Sequence, residues 1–237
     1  MSDTIVISGD GAFYTFQGEG PTVGEQAVFL RVNECNLSCK YCDTPYTWNQ
    51  TDPGYQERRK LTVDEVLKLV LEVNAGRCKR LVLTGGEPLL QQRTLAELCC
   101  RPELAEWVVE IETNGTIFPD LFLGRANLQI NCSPKLSNSG IFRGKRINQS
   151  VLERLSRTPG VVFKFVVSEK SHVEEIAEDF FPLIGDFPRD RIFLSPEGID
   201  VDTLDTVLAK ILPIALQYGF SVSDRKHIRV YGNRRGV

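Results

Sequence analysis

The sequence predicts an α/β protein built on a parallel sheet, and two observations carry that prediction. Short apolar runs alternate with segments of helical periodicity along most of the 237 residues, the order that generates right-handed βαβ units. The polar motifs fall just after the carboxyl ends of successive runs, the edge at which parallel α/β folds bind ligands. Six such parallel strands can be counted, fewer than the roughly eight that close a complete barrel. No repeat, low-complexity tract or linker divides the chain, so a single domain over 1–237 is expected.

A short apolar stretch at 5–7 comes first, and residues 27–32 (AVFLRV) suit a buried strand. The loop CNLSCKYC follows that strand directly. At 61–76, Thr62 stands three residues before Glu65 as a capping box, Val63, Val66, Leu67 and Val70 share one helical face, and Gly76 supplies a stop. Strand 80–84 leads through TGGEP to a helix over 89–100, and strand 107–112 through ETNG to a short helical segment near Asp120. Strand 128–132 runs into SPK and a helix over 150–157. Strands 161–167 and 191–194 precede helices over 173–184 and 201–219. Near the end, 228–231 reads as a short strand, with Gly232 free to turn the chain back toward the ligand edge.

Composition excludes several function classes. With 42% hydrophobic and 25% charged residues and a formal net charge of −3, the chain is not built to bind a polyanion; the basic runs at 57–60 and 143–146 read as solvated faces. No run approaches the roughly 18 apolar residues that span a bilayer, and the opening residues lack a leader pattern, so a cytoplasmic protein without nucleic-acid or membrane partners is expected. Seven cysteines, an odd number unevenly spaced, then point to thiols or metal ligands and away from disulfides.

Cys35, Cys39 and Cys42 fall within eight positions, and no fourth cysteine follows until Cys78. A closed metal site usually needs four protein ligands. Either a zinc site is completed by a distant Cys132 or His227, or three thiolates hold three irons of a cubane and leave the fourth iron open to a ligand. Cys78, Cys99 and Cys100 read as small buried hydrophobes. Cys132 suits either the core or the site, and His172 a solvated helix start.

The spacing C-x3-C-x2-C, with Tyr41 before the last cysteine and TGGEP (84–88) after the next strand, resembles the radical S-adenosylmethionine (SAM) superfamily. FQGEG (16–20), Arg31, CDTPYTW, NCSPK (131–135) and the ending YGNRRGV are together similar to its 7-carboxy-7-deazaguanine synthase family, over almost the entire chain. The resemblance implies an incomplete (β/α)6 barrel. It also implies conversion of 6-carboxy-5,6,7,8-tetrahydropterin to 7-carboxy-7-deazaguanine with loss of ammonia, in 7-deazapurine (queuosine) biosynthesis.

By the same resemblance, Cys35, Cys39 and Cys42 hold a 4Fe-4S cluster whose open iron is chelated by SAM, and Thr44 binds Mg2+. SAM is expected at Tyr41, Cys42, Asp43, Gly86, Ser133, Pro134 and Lys135, with Glu87 and Glu112 as further candidates. The pterin is expected at Phe16, Gln17, Gly18, Glu19, Arg31, Thr84, His227 and Val237. A guanidinium suits the pterin carboxylate, and carboxylates suit its guanidine-like edge. The family further implies an electron donor such as flavodoxin or ferredoxin, and a homodimer. Two other readings share features. A glycyl-radical activase shares the cysteines but needs no FQGEG or RGV end, and a zinc-stabilised RNA-binding module fits the basic runs but not the acidic balance.

Overall fold

The computed structural model describes residues 4–237. Its strands are β1 (Thr4–Phe16), β2 (Gln26–Val32), β3 (Arg59–Thr62), β4 (Arg80–Gly85), β5 (Val108–Thr113), β6 (Leu128–Cys132), β7 (Val161–Val167), β8 (Ile192–Pro196) and β9 (Ser221–Val222). They form one sheet in the order β3-β1-β2-β4-β5-β6-β7-β8-β9. From β2 onward all neighbours run parallel, whereas β1 is antiparallel to β2 and β3. With β3 and β9 at opposite ends of the order, the barrel stays open. The helices are α1 (Val63–Asn74), α2 (Gln92–Cys99), α3 (Arg143–Arg146), α4 (Gln149–Ser156), α5 (Lys170–Glu175), α6 (Phe181–Ile184), α7 (Val201–Tyr218) and α8 (Lys226–Tyr231). No helix among the described residues is long and apolar enough to cross a membrane.

Strand alternation separates core from site. In β5, VVEIET, Val109 and Ile111 join Leu81, Leu83, Val66 and Leu95 in a layer under α1 and α2, while Glu110 and Glu112 take the other face. Leu81 and Leu83 are fully buried there, each contributing about 2 kcal/mol by removal from water. A second layer packs Ile130, Phe163, Phe165 and Leu194 against Leu152, Ile176 and Ile211. Edge-to-face pairs Phe163–Phe187 at 4.8 Å and Phe165–Phe180 at 4.9 Å set its geometry. The apolar mass therefore lies toward the helices, and the opposite face is left for polar residues.

Several local readings need correction. β1 is far longer than the apolar stretch at 5–7 predicts: Gly9 and Gly11 take φ of +57° and +78°, and its register with β2 shifts between Ile7 and Ala12. That bulge breaks the alternation a strand normally shows. Residues 228–231 are helical within α8: Ile228 is buried, Val230 is exposed and the Gly232 N–H donates to the Ile228 carbonyl. The helix expected over 173–184 is interrupted by a π turn at Ile176–Phe180, next to Pro182, which has no amide to give the carbonyl four residues earlier. The run at 143–146 is not simply a solvated face, because Arg146 is buried, pairs with Glu175 at 2.8 Å and donates to the Lys135 carbonyl at 2.8 Å.

His172 is likewise buried, its Nδ1 3.2 Å from the donating Ser168 amide. Cys99 and Cys132 are buried, but Cys78 is half-buried and Cys100 exposed.

Candidate active site

At the carboxyl edge of the parallel strands lies a cavity of about 580 Å³. One wall is the cysteine loop. After β2 the chain turns at Glu34, whose φ of +78° is left-handed; its N–H donates to the Thr47 carbonyl at 2.7 Å and its carbonyl accepts from the Glu87 amide at 2.8 Å. Cys35, Cys39 and Cys42 all line the cavity. The Leu37 amide points at Cys35 Sγ (3.4 Å) and the Trp48 indole N–H at Cys42 Sγ (3.3 Å), contacts of the kind that tune cluster sulfurs. Burial pushes the Cys35 thiol up to about 11 and raises Cys39 as well, so metal loading must displace protons.

Three thiols on one cavity with N–H groups aimed at them fit a three-cysteine cluster. Of the residues offered by sequence as a fourth zinc ligand, Cys132 is fully buried and outside the cavity wall, whereas His227 lines the cavity beside Glu19.

The two glycines of TGGEP have a different reason from close approach to a ligand. A Cβ at Gly86 would lie 2.0 Å from the Glu34 carbonyl oxygen, and one at Gly85 2.1 Å from that of Val32. The loop is thus glycine because it docks on the start of the cysteine loop. Gly86 still lines the cavity, as do Tyr41 and Asp43. Glu87 does not. Its fully buried carboxylate accepts from the Leu89 amide (3.1 Å), the Thr113 hydroxyl (2.8 Å) and the Asn114 amide (2.7 Å). It clamps ETNG to TGGEP and has no face toward a ligand. Ser133 and Lys135 line the cavity, joined by a 3.0 Å bond from Lys135 Nζ to Ser133 Oγ, while Pro134 is not in its wall.

The opposite wall is charged. Glu19 receives Lys164 Nζ, Arg225 Nε at 2.9 Å and, at 3.8 Å, His227 Nε2; Arg225 also donates to Asp43. Burial alone would raise the Glu19 pKa, but the charges of Lys164, Arg225 and His227 hold it well below the ordinary carboxylate range. Burial moves His227 the other way, keeping it neutral more readily despite Glu19. Gly18 is required here, since a Cβ would lie 2.3 Å from His227 Nδ1.

Gln17 lines the cavity, yet its carboxamide is committed to the protein. Nε2 donates to Glu110 (2.6 Å) and Glu112 (3.1 Å), and Oε1 accepts from the Glu19 amide (3.2 Å). It is a scaffold for Glu112, which also accepts from Thr84 at 2.6 Å and does face the cavity. Glu110, beneath, is fully buried and held by Gln17, Thr22, Arg80 and Asn131.

Arg31 lies 5.6 Å over the Phe13 ring and has no carboxylate partner among the described residues. Phe16 sits half-exposed in the cavity wall. Thr44 places its hydroxyl 3.7 Å from Cys42 Sγ. Val237 also lines the cavity.

The sequence reading missed Lys164, Arg225, Asn131 and the supporting Glu110. Lys164 carries a signal, a lone charge inside the apolar run VVFKFVV. Glu110 carries one as well, two residues before Glu112 and so on the same strand face. Arg225 carries none, because its carboxylate partners lie 182 and 206 positions away.

The chain is similar to known proteins of one family. The family model described as "Radical SAM superfamily" matches residues 30–127. A protein of Pyrobaculum aerophilum named 7-carboxy-7-deazaguanine synthase is 36% identical over 225 residues, covering 94% of each chain. One of the same name from Rhodopirellula baltica is 33% identical and covers 95% of this chain and 86% of its own. The crystal structure of QueE from Escherichia coli is similar at 25% identity with a TM-score of 0.69, over 94% of this chain and 95% of that one. Streptococcus suis SuiB bound to S-adenosylmethionine, at 13% identity and a TM-score of 0.52, shares the fold over 80% of this chain and 48% of its own.

Proposed function

The chain belongs to the 7-carboxy-7-deazaguanine synthase family of radical SAM enzymes, and from that premise we propose that it converts 6-carboxy-5,6,7,8-tetrahydropterin to 7-carboxy-7-deazaguanine with loss of ammonia. The observation that carries this reading is that the three-cysteine loop and the charged wall around Glu19 open on the same cavity. When bound, SAM and a 4Fe-4S cluster reduced by an external electron donor would supply radical hydrogen-atom abstraction at C6 of the pterin.

The chain's own residues orient the reactants and keep water out. Cys35, Cys39 and Cys42 hold the cluster. Tyr41, Asp43, Gly86, Ser133 and Lys135 bind SAM, and Glu87 acts only through the loops it clamps. Arg31, lacking a carboxylate partner of its own, takes the carboxylate of the pterin. Glu19, kept ionised by Lys164 and Arg225, and Glu112, set by Gln17 and Thr84, accept from N–H groups of the bound ligands. His227 and Val237 complete the substrate end.

Thr44 would offer its hydroxyl oxygen to a Mg2+, an ion that readily keeps water ligands. A flavodoxin- or ferredoxin-like donor, a homodimer, a cytoplasmic location and a single domain over 1–237 belong to the same reading. Likeness over nearly the full length to this family disfavours a protein activase and a zinc-stabilised RNA-binding module. The test is anaerobic turnover with 6-carboxytetrahydropterin, SAM and a strong reductant. Formation of 5′-deoxyadenosine and the deazaguanine is expected; a colourless protein that binds zinc and no iron would end the proposal.

A further inference from the structure

Arg225 stands between the two halves of the cavity. It immediately precedes α8, and two bonds seat this stretch on the FQGEG segment: the Lys226 amide donates to the Gly18 carbonyl at 3.0 Å, and the Gly20 amide to Ser223 Oγ at 2.6 Å. So placed, the guanidinium uses all three of its nitrogens. Nε donates to Glu19 Oε1 at 2.9 Å, Nη1 to the Gly198 carbonyl at 2.5 Å, and Nη2 to Asp43 Oδ2.

The two carboxylates belong to different parts of the site. Asp43 directly follows the last cluster cysteine, whereas Glu19 lies in the opposite wall and is held separately by Lys164. The Arg225 side chain is 12% exposed, that of Glu19 15% and that of Asp43 33%. The bridge is therefore shielded along its length and least so at Asp43. Charges placed in this way are screened far less than surface pairs, and removing one partner strands the other.

We propose that Arg225 is a positioning residue that couples the two halves of the site: by holding Asp43 and Glu19 at once, it sets the cofactor loop against the substrate wall, so that SAM and the pterin each bind more tightly when the other is present. The ligands named here rest on the function proposed above, whereas the bridge rests on contacts within the chain. A ligand that orders Asp43 orders Glu19 through the guanidinium, and the second ligand then meets a wall already in place; such coupling is reciprocal. It needs the planar fork of arginine, which serves two carboxylates and a carbonyl together. An ammonium on a flexible stem keeps the charge without that geometry.

Anaerobic equilibrium dialysis of cluster-loaded enzyme without reductant measures the binding of both ligands with no turnover. In wild type, 6-carboxytetrahydropterin is expected to tighten SAM binding at least about fivefold, and in Arg225→Lys to change it less than about twofold. Asp43→Asn breaks the bridge at its more exposed end and is expected to lose the enhancement as well, so the comparison stands even if Arg225→Lys fails to fold. A residue that merely supports the fold would weaken SAM binding by one factor with or without the pterin. An undiminished enhancement in either folded variant overturns the proposal, and so does a wild type that binds both ligands without enhancement. A wild type that binds no pterin counts instead against the proposed function, and a cycle with SAM alone then decides the bridge. Glu19→Gln, on the far wall, is expected to weaken SAM binding at least about threefold in the wild-type background and not in Arg225→Lys. Equal effects in the two backgrounds overturn the bridge.

Discussion

Two largely buried carboxylates, Glu19 in the cavity wall and Glu87 behind the cysteine loop, are shifted in opposite directions. On the cysteine side, Glu87 accepts hydrogen bonds from neutral donors, and burial raises its pKa despite the Asn114 and Leu89 amides, the Thr113 hydroxyl and the charge of Lys135. On the far side, burial acts on Glu19 in the same direction, but Lys164, Arg225 and His227 outweigh it and the pKa falls. Burial alone does not decide ionisation; the charge of the neighbours does. The cysteine wall is thereby a rigid frame of backbone and neutral bonds, suited to hold a cofactor in one position. The far wall is an array of charges, suited to recognise a polar heterocycle bearing a carboxylate.

The contrast can be broken most severely at the frame. Cys39→Ala is expected to lose the cluster and reduce turnover to background, while Cys78→Ala, at a half-buried thiol bonded to Asn74, keeps both. Full iron and sulfide occupancy in Cys39→Ala would refute that assignment.

Next comes the charged wall. Glu19→Gln leaves Lys164 and Arg225 short of a buried counter-charge and is expected to cost about 3 kcal/mol of stability. The pH dependence sharpens the comparison. The depressed pKa of Glu19 gives stability that is present above the unfolded value near 4.5 and lost as pH falls through the folded value. Glu87 has a raised pKa, so its native state binds more protons and stability falls as pH rises above 4.5. In thermal unfolding across pH, the gap between wild type and Glu19→Gln should therefore widen with rising pH, and that between wild type and Glu87→Gln should shrink. Parallel trends in the two variants would mean that the walls do not differ as described.

The smallest effect is expected at the junction of the walls. Thr44→Val nearly conserves shape and should remove the response of turnover to Mg2+ without changing cluster content. A variant that still responds fully would exclude Thr44 as the ligand.

What sequence could disclose follows the same division. The frame is written in local spacing: three cysteines within eight residues, a Gly-Gly loop after a strand, and the period-two pattern that sends Val109 and Ile111 to the core and Glu112 to the cavity. The direction of Glu87 was not legible, because one residue after the glycines decides which way the carboxylate turns. Nor was the full β1, whose glycine bulge erases its alternation, or α8, whose four residues IRVY satisfy a strand pattern equally well. The charged wall is joined by contacts such as Lys164 to Glu19, 145 positions apart, and only tertiary structure brings such residues together. Gln17 shows the converse: its motif places it correctly in the cavity, and the structure shows its polar atoms already engaged.

On the function proposed above, one cavity holds both cofactor and pterin, with C6 of the pterin presented to the 5′ carbon of the cofactor. Anaerobic turnover of 6-carboxytetrahydropterin deuterated at C6, followed by mass analysis of the 5′-deoxyadenosine formed, tests it most directly. The account predicts that deuterium from C6 appears in 5′-deoxyadenosine; deazaguanine formed alongside unlabelled 5′-deoxyadenosine would contradict it.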